Sequence, residues 1–244
     1  MGDNRSVILT YHSLDDSESA ISIAPRLFRQ HMDFLAASCL AVLPLDQALQ
    51  RPGSVAITFD DGFRNFLDLA LPELALRRLP ATIFIVSGYC GRRNLWPARP
   101  YPRIPRQPLL GWDELSAMPA LISLGAHTVT HPDLRGVSPA ECEKELRECQ
   151  AQIEQRTGRP VRWLAYPYGA SSPTVRSLAG RYFDLAVGTS LQFVSTRSNP
   201  LDLPRIDAYY FGGRFPLKHL FTPYGSLYIG LRHLLRNVRR LASR

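Results

Sequence analysis

Strand-like and helix-like stretches alternate along most of this chain, and that alternation limits the folds open to it. SVILTY (6–11) is a short, β-rich apolar run that reads as a buried strand. Pro25 then opens a helical stretch, PRLFRQHMDFLAAS, with Leu27, Phe28, Met32, Phe34 and Leu35 on one broad apolar face. LAVLPL (40–45) reads as the next strand and DQALQ as a short helix. SVAITF (54–59) is a strand ending at Asp60, and FRNFLDLALPELALRRL a helix broken or kinked at Pro72. ATIFIVS (81–87) and ISLGAH (122–127) are strands, with a proline- and arginine-rich loop over 88–108 and the short helix WDELSAM between them. Ser138-Pro-Ala-Glu141 is a capping box with proline at the first helical position, opening a helix that runs to Gly158. VRWLAYPYG, FDLAVGT and LPRIDAY supply the remaining strands. About seven strand–helix units predict a parallel α/β fold, closed as a barrel rather than left as an open sheet. No G-x-G-x-x-G follows the first strand, which weighs against dinucleotide binding.

The 244 residues suffice for one sizeable core, and 45% hydrophobic with 20% charged residues is ordinary for a globular domain. Net charge is +8, but the last acidic residue is Asp207, and Arg214, Lys218, Arg232, Arg236, Arg239, Arg240 and Arg244 follow it. The rest of the chain is nearly neutral and offers no case for nucleic-acid binding. MGDNRSVILTYHS lacks the h-region of a secretory signal, and no apolar window reaches the roughly 18 residues of a membrane span. A cytoplasmic protein, at most at the inner face of the membrane, is the expectation. Cys142 and Cys149 stand seven apart in a predicted helix, about 10 Å, too far for a disulfide. They share an apolar stripe with Leu146 and Ile153, so the cysteines, Cys39 and Cys90 included, are expected in the core.

In such folds ligands gather at the carboxyl ends of strands. Asp60-Asp61-Gly62 sits at one such end and His127-Thr-Val-Thr-His131 at another. Adjacent carboxylates repel and raise each other's pKa, so the pair needs a reason. Two histidines and one aspartate suit an open Zn²⁺ or Fe²⁺ site. One aspartate binds the cation, cancelling the repulsion, while its neighbour takes a proton from water held there. Gly125, the β-branched Thr128-Val129-Thr130 and Pro132 argue for a loop or single turn, not a helix, between the histidines.

TFDDG followed by HTVTH resembles the polysaccharide deacetylase family, the NodB-homology or family 4 carbohydrate esterases. The likeness runs from SVILTYHSL through VAITFDDGFRNF, LPATIFIVSGY and HTVTHPDL to AYPYG and LPRI, roughly residues 6–210. It implies a distorted (β/α)₇ barrel over residues 1–213 that hydrolyses the N-acetyl group of an amino sugar in a polysaccharide, oligosaccharide or lipid-linked glycan. It makes Asp60 the catalytic base and Asp61, His127 and His131 ligands to a divalent metal, Zn²⁺ first, with Co²⁺, Fe²⁺ or Mn²⁺ as substitutes. AYPYG falls on the third motif, where the backbone N–H of Tyr168 helps bind the oxyanion, and Tyr166 and Tyr168 are candidates to line the sugar groove. Many members carry an arginine in that motif where this chain has Ala165; Arg205 in LPRI is the candidate replacement. Many also carry a late Leu-x-His for the general acid. Leu217-Lys-His219 is a poor match, and His12 of Tyr11-His12 is the better candidate, as in the subgroup that deacetylates poly-N-acetylglucosamine. His31 and His233 are not expected to be catalytic. A deformylase or other linear-amide hydrolase on the same fold, or a binding module without catalysis, are the rival readings.

Residues 214–244 form a separate tail. Leu231, Leu234, Leu235, Val238 and Leu241 recur at helical spacing among Arg232, Arg236, Arg239 and Arg240. Such a basic amphipathic helix reads as a membrane-surface element. The alternative is a terminal helix docked on the barrel with its basic face in solvent.

Overall fold

The computed structural model describes residues 5–17, 19–96, 104–212 and 215–242, without side-chain detail at 237 and 239–242. Seven strands form the main sheet: β1 (Val7–Tyr11), β4 (Val55–Phe59), β5 (Ala81–Ile85), β6 (Ile122–Ala126), β7 (Trp163–Ala165), β8 (Leu185–Val187) and β9 (Ile206–Asp207). Their order is β8-β7-β6-β5-β4-β1-β9, every neighbouring pair parallel. β2 (Ser13–Leu14) and β3 (Ser22–Ile23) pair separately as a parallel ribbon, which sequence reading did not foresee. The helices are α1 (Pro25–Ala37), α2 (Leu45–Gln50), α3 (Leu71–Arg77), α4 (Trp112–Ser116), α5 (Pro139–Thr157), α6 (Pro173–Ala179) and α7 (Pro223–Ala242). This is the expected distorted (β/α)₇ architecture, a sheet curled into a half-barrel with helices between its strands.

β1, β4 and β5 are buried at every position, so each strand feeds two cores. Odd residues of β1 and β4, such as Leu9 and Ile57, join the large cluster packed on the helices. Even ones, Ile8 and Ala56, join Phe84, Ala165, Val187 and Leu203 in a smaller cluster on the opposite, inner face. Gly125 makes room for that inner packing: a Cβ there would lie 2.5 Å from the Phe84 ring. The open side is bridged by one extended segment. Leu203 pairs with Val187 of β8, and three residues later Ile206 pairs with Leu9 of β1.

Three local readings are corrected. LAVLPL contributes one bridge, Val42 to Val55, because Pro44 ends the run and caps α2. The helix after Asp60 begins as a π-helical turn, Phe66–Ala70, and passes into α3 at Leu71. Pro72 has no N–H to continue an α-ladder, which suits a widened turn just ahead of it. Cys39 is exposed and Cys90 half-buried, while Cys142 and Cys149 are buried beside Leu146 and Ile153 as expected. Ser138 caps α5 as its sequence predicts: its hydroxyl accepts from the Glu141 amide at 3.2 Å, and the helix ends on left-handed Gly158. The expected boundary between residues 213 and 214 lies outside the described residues.

Candidate active site

The two-residue period of a strand decides which side chains enter the barrel mouth. Continuing the inner series Ile8–Thr10 reaches His12, and Ala56–Thr58 reaches Asp60. Gly125 leads to His127, and Leu203 leads to Arg205 and Asp207. Register aligns them: Thr10 lies opposite Thr58 on one side and Asp207 on the other. His12 thus stands next to Asp60, its Nε2 3.8 Å from Oδ2.

Arg205 grips Asp60 with both arms of its guanidinium, Nη1 to Oδ1 at 2.7 Å and Nη2 to Oδ2 at 2.6 Å. The pair is 2% and 3% exposed, so neither charge is stable there without the other. Nε donates to the Gly188 carbonyl at 2.8 Å, and Nη1 also reaches Thr58 Oγ1 at 3.3 Å. Burial favours the neutral acid, but the Arg205 charge outweighs it and holds the Asp60 carboxyl below the ordinary carboxylate range. The arginine that meets Asp60 thus comes from a different strand end than Ala165.

Asp61, His127 and His131 are all buried, and their ligand atoms lie within 4.8 Å of one another. His127 donates Nδ1–H to the Ala165 carbonyl at 2.7 Å, which turns Nε2 toward Asp61 Oδ1 at 3.3 Å. His131 Nε2 lies 3.4 Å from the same oxygen, and its Nδ1 is 3.2 Å from the Tyr168 hydroxyl. Tetrahedral ligands at about 2.0–2.1 Å from a zinc ion stand roughly 3.4 Å apart, which both separations from Asp61 match, so an oxygen and two imidazoles of this kind suit such an ion. Burial opposes charge on Asp61, yet the two imidazoles hold its carboxyl below the usual range. Burial also lowers His127, but Asp61 and Asp60 outweigh it and leave its pKa raised; His131 is lowered by burial and then by His127.

The backbone here is strained. Among the described residues five non-glycine residues have positive φ, and four of them are Asp61 (71°), Thr128 (68°), His131 (60°) and Tyr168 (59°). The fifth, Arg78, caps α3. Each such residue costs on the order of 1–3 kcal/mol, and β-branched Thr128 is the least suited to it. Surrounding bonds hold the histidine loop in place. Glu145 of α5 accepts from the Val129 amide (2.7 Å), the Thr130 amide (2.9 Å) and the Thr130 hydroxyl (2.6 Å). Thr128 Oγ1 accepts from the His131 amide at 3.0 Å. The expected loop between the two histidines is what forms.

His12, Asp60, Asp61, His127 and His131 line one cleft of about 470 Å³, together with Tyr168, Thr189, Ile21, Leu95, Trp96 and Arg106. That size suits a small-molecule or single-sugar pocket. The Trp96 ring lies 4.5 Å from the His131 ring, while Arg92 and Arg93 are exposed and outside the lining. Tyr166 does not reach the cleft: it is buried, and its hydroxyl donates to the Leu201 carbonyl at 2.8 Å. Its parity after β7 turns it to the helix side. Leu217-Lys-His219 forms a single 3-10 turn, with His219 against Phe215 and away from the cleft. His31 is buried between the Tyr11 hydroxyl and the Phe211 carbonyl.

Two residues were missed by sequence reasoning. Asp207 lines the cleft and carries a carboxyl raised by burial, against the opposing charge of His12. Its signal was its place two residues beyond Arg205, on the same strand face. Glu145 had no local signal, since its bonds span about four helical turns of sequence to a loop before α5.

Residues 48–182 match the family model described as polysaccharide deacetylase. A chitooligosaccharide deacetylase of Sinorhizobium fredii (strain NBRC 101917 / NGR234) is 31% identical over 124 residues, 50% of this chain and 50% of that one. This chain spans about half the length of the curated relatives it matches. In fold it is similar to the Streptococcus pyogenes deacetylase PplD, solved with acetate, at TM-score 0.72 and 23% identity over 83% of this chain and 92% of that one. IcaB from Ammonifex degensii gives TM-score 0.71 and 23% identity over 84% and 92%. With the matched region covering more than half of its length, the chain belongs to the polysaccharide deacetylase family.

Proposed function

We propose that this protein is a divalent-metal-dependent N-deacetylase, releasing acetate from an N-acetylated amino sugar within an oligosaccharide, polysaccharide or lipid-linked glycan. One observation carries the reading. A buried Asp61–His127–His131 donor set sits at the floor of an open cleft, beside an aspartate that Arg205 keeps ionised. Asp61, His127 and His131 would hold the metal. When bound, Zn²⁺ or a similar ion supplies Lewis acidity, polarising the acetamide carbonyl and lowering the pKa of the attacking water.

The chain's own groups do the rest. Asp60 takes the proton from the attacking water; its bonds to Arg205 fix its orientation. The backbone N–H of Tyr168 stabilises the oxygen on which charge develops, from a left-handed turn at the cleft wall. His12 protonates the departing amine, with the Asp207 carboxyl close enough to feel its charge. Trp96 offers an apolar face to a sugar ring. Two of the named relatives support the reading: one is a chitooligosaccharide deacetylase, and the other is a deacetylase solved with acetate.

The test is product analysis with Zn²⁺- or Co²⁺-loaded protein on N-acetylglucosamine oligomers and lipid-linked N-acetyl sugars. Acetate appearing in step with free amine supports the reading. Formate from N-formyl analogues, without acetate from any acetylated sugar, moves the activity to deformylation. Binding of sugars without any release makes the chain a binding module.

A further inference from the structure

α7 is held the wrong way round for an ordinary docked helix. Tyr224, Leu227, Leu231, Leu234 and Val238 recur at spacings of three and four and form one stripe along it. All five face solvent, at 70%, 71%, 53%, 59% and 54% exposure, with Leu235 beside them at 46%. The opposite side does the docking. Ile229 is 2% exposed, and Ser226 accepts from Arg5 at 3.0 Å. Arg236 donates to the Thr189 carbonyl and hydroxyl at 2.8 and 3.1 Å, and Arg232 lies over the Tyr228 and Tyr210 rings at 5.3 and 5.6 Å. The expectation of a docked apolar face with a solvated basic face is corrected: the apolar stripe faces solvent and Arg236 docks, while Arg232 stays exposed at the margin. Arg239, Arg240, Leu241 and Arg244 lie outside the residues whose side chains are described.

We infer that this stripe seats on an anionic lipid surface, with α7 lying flat in the headgroup region. A continuous row of large apolar side chains on a rigid, docked helix marks an interaction site. Charge selects the occupant. No acidic residue follows Asp207, and seven Arg or Lys do, five of them on or just beyond α7. A helix with leucines on one side, exposed Arg232 at their margin and further arginines in its sequence matches acyl chains below and lipid phosphates around. A second copy of the chain matches less well, since two such helices bring only cations together and no carboxylate to pair them. Among the described residues no helix is long and apolar enough to cross a membrane, so the contact is in-plane.

The seat is next to the chemistry. Thr189, which Arg236 grips, lines the catalytic cleft, and the charge of Arg236 reaches Asp207. Lipid contact at α7 thus brings the cleft to the bilayer and favours glycans presented there. That consequence for substrate rests on the deacetylase reading, whereas lipid binding itself does not.

The experiment is vesicle flotation of the full chain, on phosphatidylcholine alone and on phosphatidylcholine with phosphatidylglycerol, at low and high salt. The same protein is run in sedimentation velocity. Expected is binding to anionic vesicles, weakened by salt, and a fall of about tenfold or more in partitioning for Leu231→Glu/Leu234→Glu and for the milder Leu231→Ser/Leu234→Ser. Both variants change exposed positions, so the melting temperature should hold. No binding to either vesicle overturns the proposal, as does undiminished binding by both variants. A dimer that both variants dissolve, without vesicle binding, assigns the stripe to a second copy instead. Because flotation needs no turnover, Asp60→Asn protein should float like the wild type even if no deacetylation is ever detected.

Discussion

Arg205 and Asp60 meet across 145 residues of chain, and their pairing explains how an acidic couplet survives in a barrel interior. Replacing Arg205 by Met strands a buried carboxylate, which should cost about 3–5 kcal/mol. A fall of roughly 10 °C in melting temperature is expected for a chain of this size. Adding Asp60→Leu should restore much of it, because the cost lies in an unpaired charge. A single variant that melts with the wild type would show the pair to be dispensable for the fold. At this scale the sequence was informative. TFDDG and HTVTH placed a carboxylate pair and two histidines at strand ends, but which aspartate serves as base came only from the family resemblance. Arg205 was legible only as a candidate, because nothing local says which strand end faces Asp60. Asp207 went unread for the same reason.

At the scale of elements, the donor set depends on a loop whose strained residues are held by a helix. Glu145→Gln removes the charge that accepts three bonds from Val129 and Thr130. Metal affinity should drop about 10- to 100-fold with the fold intact, as read by competition with a chelator. An unchanged affinity would mean that strand β6 and Thr128 position His131 unaided. The central strands were readable because each is a short, mostly apolar run followed by polar residues or a turn at its carboxyl end. The β2–β3 ribbon was not, since two-residue strands carry no period. The turn at Phe66–Ala70 was read only as a kink, because a proline removes one N–H without dictating which helical geometry absorbs the loss.

For the whole molecule, burial sorts the thiols and the tail. Burial pushes Cys90 up to about 12 and Cys142 and Cys149 to about 11, while Cys39 is exposed. The native protein should therefore react with a thiol reagent quickly at one site, and at all four only when unfolded. Fast reaction at Cys142 or Cys149 would contradict the packing of α5 on the barrel. Sequence periodicity found the amphipathicity of α7 but not its direction, which depends on where Ile229, Arg232 and Arg236 find partners on the body.

The central claim is that the metal donors and the proton-accepting aspartate are neighbours with separate tasks. The most direct test measures bound metal and acetate release together, for the wild type and Asp60→Asn. The account predicts one divalent ion per chain in both proteins and a loss of turnover of about 10²–10⁴-fold in the variant. Metal lost along with activity in the Asp60→Asn protein, or full activity retained by it, would contradict the account.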